Sequence, residues 1–560
     1  MSEGLAGPPR GPASRGAAHP VAYNSSMGRR PWLWLAGSGA VLLAVLAPYL
    51  LAHRGQPSGF VFSGFLINPI DGFSYLAKMR QGAEGDWLFH LPYAAEPGNG
   101  ALIFLYYLGL GHLQRLIGLG PEVVYHAARV LGAGAMLAAA YVFYHQFLPT
   151  QAARRWAFAL VAVGSGLGWI GLGLGRLAID LWVPEAVPFL AAFANPHFPL
   201  AAASMLVGLT AIAMPGGRRS RRLLWSGGAG LVLALVQPFA VLTVAGVAAA
   251  WLLWRRIRPP LDSESPGKWI DNALALGLFV LVSSPWILYD WWVTRTQPEL
   301  AAWSAQNITA TPPLFDVLLG FGLVLLLALI GARTGGVLGT SAGRLLVTWL
   351  AIGLLLVFAP IALQRRMLLG VFFPMAALAG LVLASLGKSE RPVRRWSSYV
   401  LFALCLPTNI LVAGITLGGA LRQEPELVLT RSEFDSYLWA SDSLPSGALV
   451  LAGEVSGNRL PAFAPVRVVY GHPFETPNAE AELAWVNAVY GSEMPAEQVH
   501  HQLQERSIHY VYVGACERAL GDLTWVEVLT PVYSGGDVTI YRVGGWYRVE
   551  DGNGIALGPP

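Results

Sequence analysis

Long apolar runs separated by short polar ones make up most of the chain. Runs near 31–52, 122–147, 156–175, 197–214, 223–237, 238–254, 270–293, 314–332, 345–363, 367–387 and 396–418 approach or reach the roughly 17 to 25 residues that cross about 30 Å of hydrocarbon. They predict a polytopic α-helical membrane protein with about eleven transmembrane helices. The run from 223 to 254 is long for one upright helix and short for two. Gln237-Pro238 at its centre predicts a tight hairpin or a break, because proline brings no backbone N–H and clashes with the preceding turn. The stretch 101–118 is apolar but interrupted by His112, Gln114 and Arg115, which predicts a surface or re-entrant helix.

Between 53 and 121, in the first loop, Asn68-Pro69-Ile70-Asp71-Gly72-Phe73-Ser74-Tyr75-Leu76-Ala77-Lys78 continues at helical spacing. Asp71, Ser74, Tyr75, Lys78 and Gln81 fall on one face, with Phe73, Leu76, Ala77 and Ala83 on the other. This pattern predicts an amphipathic helix lying in the membrane interface. Beyond about residue 420 the pattern changes again. Acidic residues outnumber basic ones, and β-like runs at 448–451, 466–470, 510–513 and 538–543 alternate with helical stretches, predicting a C-terminal α/β domain over 420–560. Residues 1–30, rich in Gly, Pro, Ala and Arg, read as a disordered cytoplasmic N-terminus. The span that follows reads as a retained anchor.

Composition agrees with a membrane protein, since 54% of residues are hydrophobic and 12% charged, about half the charged share of a soluble globule. Arginine-rich loops orient it. Arg29-Arg30, Arg154-Arg155, Arg218 to Arg222, Arg255 to Arg258, Arg333 and Lys388 to Arg395 share one side when 223–254 counts as two spans, and that side is the cytoplasm. The first loop and the tail domain then lie outside, in an integral plasma-membrane protein. Two cysteines form no framework, and HExxH, CxxC and P-loop patterns are missing. No basic stripe with interleaved aromatics points to nucleic acid.

Gln364-Arg365-Arg366 breaks the charge rule by placing two arginines outside. They read either as snorkelling to headgroups or as forks for phosphate oxygens. Asp71 reads as a helix cap or as a catalytic carboxylate. Arg129, inside a span, needs a partner or a cavity. His197, in Asn195-Pro196-His197, lies at the mouth of a span on the side of Asp71 and reads as an interfacial or a site histidine. Asn307-Ile308-Thr309 fits a glycosylation sequon, and His472 to Asn478 reads as a polar turn within reach of substrate.

Asp71, Tyr75, Gly85-Asp86-Trp87, an apolar surface segment and then Arg129 early in the next span resemble the polyprenyl-phosphate-sugar-dependent glycosyltransferases of the GT-C superfamily. Within it, the protein O-mannosyltransferase and aminoarabinose transferase group is most similar. The resemblance covers 31 to about 147 and more loosely the spans to about 418. It implies a GT-C-like transmembrane domain over 31–419, Asp71 as general base, and Arg365, Arg366 and Lys78 at the donor phosphate. Tyr75, Asp86, Arg129 and His197 would line the substrate cavity. The donor partner would be a polyprenyl-phosphate-linked sugar in the lipid, with the acceptor left open. Asp71-Gly72 stands where the family often has an acidic pair, so no cofactor is implied and a divalent metal is unsupported. The rival readings are a transporter or flippase of lipid-linked saccharide, which should show related halves with paired broken helices, and a non-catalytic scaffold in which Asp71 is a cap.

Overall fold

A computed structural model of the chain describes residues 31–560 apart from 215, 261–265, 335, 545–546, 552–553 and 559–560; the stretch 1–30, read as disordered, lies outside them. Helix α1 (Pro31–Arg54) leads through strand β1 (Phe60–Phe62) into α2 (Pro69–Glu84) and α3 (Leu105–Ile117). Pro69 starts α2 because the first turn has no use for its missing N–H, and Gly85 ends it with φ 115°, a conformation cheap only for glycine. Helices α4 (Pro121–Phe147), α5 (Gln151–Val163), α6 (Gly168–Gly173), α7 (Ile179–Trp182), α8 (Pro188–Ala194) and α9 (His197–Ala213) follow. Next come α10 (Arg219–Val236) and α11 (Pro238–Ile257), split at Gln237. Then come α12 (Pro266–Thr296), α13 (Pro298–Gln306), α14 (Leu314–Arg333), α15 (Ser341–Val357), α16 (Phe372–Gly387), α17 (Pro392–Ala403) and α18 (Pro407–Leu421).

Among the described residues seven helices are long and apolar enough to cross a membrane: α1, α4, α11, α12, α14, α16 with the turn before it, and α17 with α18. Two runs read as single spans are broken. The 156–175 run stops at Val163 because Gly166 packs its backbone on the Gly320 carbonyl, where a Cβ would lie 1.9 Å away. Asp180 Oδ2 accepts the freed amides of Gly166 and Gly168 at 3.0 and 3.1 Å. The 396–418 run breaks before Pro407, and Ser165 takes the freed carbonyl of Cys405. Each break is satisfied inside the protein, as backbone at membrane depth requires.

After α18, β2 (Val428–Thr430) pairs antiparallel with β1. Then come α19 (Arg431–Ser443), β3 (Ala448–Leu451), α20 (Glu454–Phe463), β4 (Val466–Val468), α21 (Ala479–Tyr490), α22 (Ala496–Glu505), β5 (Tyr510–Val513), β6 (Thr530–Gly535) and β7 (Val538–Arg542). The strands form one sheet in the order β4-β3-β5-β7-β6, parallel from β4 to β5. Side chains alternate along β3. Leu449 and Leu451 pack with Val486 and Tyr490 of α21. Ala448 and Val450 join Phe73, Leu76 and Met79 of α2 in a shared core. Helix α20 packs on α2 and the two share this core, which corrects the expectation of an interfacial helix: Ser74, Lys78 and Gln81 on its polar face are buried along with Phe73 and Leu76.

Candidate active site

The start of α2 and the 3-10 turn at Arg365–Leu368 face one cavity of about 240 Å³. Asp71, Tyr75, His197, Arg365 and Arg366 all line it, and the tail domain adds His472 and Glu475. Five of the eight residues expected at the site are therefore brought together.

Asp71 is not the cap of α2. Asn68 holds that position, and Asp71 Oδ1 instead meets His472 Nε2 at 3.2 Å. Phe474 donates its backbone N–H to His472 Nδ1 at 3.1 Å, so in the neutral ring the proton must sit on Nε2, where it points at Asp71. The other Asp71 oxygen is left for a ligand. The Asp71 side chain is 42% exposed, but into a walled cavity. Burial pushes its carboxyl up; the hydrogen bond from His472, the charge that ring carries when protonated, and the charges of Arg366 and Lys78 outweigh this and hold it below the ordinary carboxylate value.

The arginines line the same cavity. Arg365 lies over the Trp182 ring at 5.1 Å, and its Nε is buried without a hydrogen-bond partner. Arg366 reaches Asn307 Oδ1 at 3.5 Å, so the sequon asparagine sits inside the cavity wall. Glu185 is buried nearby; burial raises its carboxyl, against the pull of Arg365 and Arg366. Aromatic rings fix the floor: Tyr75 stacks on Tyr107 with centroids 4.4 Å apart, and Tyr107 OH meets His197 Nδ1 at 2.6 Å.

Three expected site residues lie elsewhere. Lys78 is fully buried, where its ammonium donates to both oxygens of Glu475 at 2.7 and 2.8 Å and to Ser74 Oγ, which in turn donates to the same carboxylate at 2.7 Å. No part of its ammonium is left for a phosphate. Asp86 is exposed at the far end of α2, with its backbone carbonyl held by His112. Arg129 is buried and donates to the carbonyls of Val45, Ala192 and Phe193 over the Tyr49 ring. It ties α4 to α1 and α8 and lines no part of the cavity.

His472, Glu475, Glu185 and Trp182 are the residues sequence reasoning missed as site groups. The signal for the first two was the dense polar run His472 to Thr476, which sits too far along the chain for spacing to tie it to α2. Among the described residues no group of three or more His, Cys, Asp or Glu side chains is placed to hold a metal ion.

A broken-helix membrane bundle, a first-loop helix carrying an acid and a tail domain beside it make a fold shared with solved structures of an arabinofuranosyltransferase, ArnT and an oligosaccharyltransferase. The cryo-EM structure of the arabinofuranosyltransferase AftD from Mycobacteria matches 93% of this chain over 40% of its own length, with TM-score 0.55 and 15% identity. ArnT from Cupriavidus metallidurans, bound to undecaprenyl phosphate, matches 92% of this chain over 98% of its own (TM-score 0.51, 14% identity). The Archaeoglobus fulgidus oligosaccharyltransferase in its apo form matches 93% over 74% (TM-score 0.53, 11% identity). At these identities the likeness is one of fold. No family model and no curated protein sequence matches the chain.

Proposed function

We propose that this chain is a glycosyltransferase that moves a sugar from a polyprenyl phosphate to an acceptor hydroxyl, with Asp71 as general base. The observation that carries this reading is one cavity lined both by a carboxylate held below its ordinary value and by two guanidinium groups. The acceptor oxygen attacks the anomeric carbon as its proton passes to the free oxygen of Asp71. The bond from that carbon to the phosphate oxygen breaks, and its electron pair leaves with the polyprenyl phosphate. Arg365 and Arg366 bind that phosphate and offset the charge that grows on it in the transition state. His472 is a positioning residue that orients Asp71 and keeps it ionised. The loop charges support an outward-facing cavity and tail domain, with a cytoplasmic N-terminus in the plasma membrane.

The test is to incubate the purified chain with a panel of radiolabelled polyprenyl-phosphate sugars and membrane acceptors and to follow release of free polyprenyl phosphate. Transfer that depends on the chain is expected. Binding of these lipids without any release across the panel would replace the enzyme by a carrier.

A further inference from the structure

Two grooves adjoin the cavity, one sharing Arg366 with it and the other Asp71. One passes Arg366 between Phe239, Trp286 and Trp291, with a volume of about 370 Å³. The other passes Asp71 and follows α18 over Ile410, Leu411 and Ile415, with about 1140 Å³. The α18 wall is apolar and open: Ile410 and Ile415 are 69% and 56% exposed, and a Cβ added at Gly414 or Gly418 would meet nothing within 4 Å. Beside Asp71 this groove runs into a cleft of about 490 Å³ between the start of α2 and helices α19 and α20 of the tail domain, sharing Pro69, Ile70, Glu426 and Pro473 with it.

The grooves differ in charge. Along α18 stand Asp71, Glu424 and Glu426 against Arg422, and the cleft adds Glu454 and the ion pair of Glu433 with Arg459 at 3.4 Å. The other groove begins at Arg366, with Asp290 further along it. An anionic headgroup is thus drawn to the arginine wall and repelled by the α18 route.

We propose that the α18 groove and its cleft hold the acceptor, and that this acceptor is a lipid-anchored glycan free of phosphate and carboxylate. Its tail lies along α18, its hydroxyl at Asp71, and its remaining sugars in the cleft. Charge sorts the two lipids, so that each reaches its own groove from the same leaflet. This rests on the reading of Asp71 as the base; a soluble glycan or a peptide acceptor would leave the apolar groove without a use.

The full chain in phosphatidylcholine nanodiscs is photolabelled with tail-diazirine probes: a long-chain alkyl glucoside, its 6-phosphate, and undecaprenyl phosphate. The glucoside should label the peptide around Ile410 and Ile415 at least ~10-fold more than the 6-phosphate does, and undecaprenyl phosphate should label α11 and α12. Gly414→Leu fills the groove with a better helix former and should abolish α18 labelling while leaving that of α12. Equal α18 labelling by glucoside and 6-phosphate, undecaprenyl phosphate on α18, or full glucoside labelling of Gly414→Leu would each overturn the assignment. Transfer surviving in Asp71→Asn would remove Asp71 as the base and leave the assignment of the grooves to the labelling, which does not depend on turnover.

Discussion

Two contacts join α2 to the same loop of the tail domain, and they are spent differently. Lys78 and Glu475 make a closed node, with side-chain exposures of 0% and 12% and Ser74 filling a further contact. Asp71 and His472, two turns nearer the start of the helix, make an open one in which the acid is 42% exposed to the cavity. In the node both partners are charged, so each consumes the other's capacity. Burial pulls the Lys78 ammonium below its usual value against Glu475. Lys78, His472 and two hydrogen bonds overcome the effect of burial on Glu475 and leave its carboxyl below the ordinary value. In the open pair the His472 ring meets one carboxylate oxygen and leaves the other. The closed node fastens the domain, and the open pair leaves an oxygen for chemistry.

The largest expected effect comes from breaking the closed node. Lys78→Met strands a buried carboxylate and should cost ~3–5 kcal/mol of stability, read as thermal unfolding in nanodiscs. Adding Glu475→Gln should return most of that loss; a double variant as unstable as the single would deny that the pair acts as a unit. In the cavity, Arg365→Ala with Arg366→Ala removes two charge-assisted contacts of about 1.5–3 kcal/mol each and should weaken undecaprenyl phosphate binding by ~10²-fold or more. Unchanged affinity would make these side chains headgroup anchors.

The smallest effect sharpens the open pair. Asp71 must be ionised to act and its carboxyl lies below the ordinary value. Activity should therefore hold as pH falls through the usual carboxylate range and fade only below it. His472→Ala removes the strongest of the influences that lower it, so the acid limb of kcat/KM should move up in pH and the rate should fall by ~10-fold. His472→Gln, which still donates, should restore much of both. An acid limb that does not move would reduce His472 to packing.

Sequence periodicity carried the apolar segments, the helix holding Asp71 and the break at Gln237-Pro238, because burial in lipid and the chemistry of proline act over a few residues. The breaks at Gly164 to Leu167 and before Pro407 were hidden, since their freed backbone groups are satisfied by Asp180 and Ser165 from other segments. Asp71 and Arg365-Arg366 were legible because charge at a membrane rim stands out against an apolar background. Lys78 and Arg129 stood out for the same reason and proved structural, because the carboxylate and carbonyls that satisfy them come from distant parts of the chain. His472 could not be tied to Asp71 from spacing, since the two lie 401 positions apart.

In the proposed reaction Asp71 takes a proton from the acceptor while the arginines hold the donor. Single-turnover sugar transfer by Asp71→Asn, measured alongside its affinity for undecaprenyl phosphate, separates the two roles. Transfer should fall by ~10²–10⁴-fold with affinity kept within a few-fold. Transfer at the wild-type rate would remove Asp71 as the base.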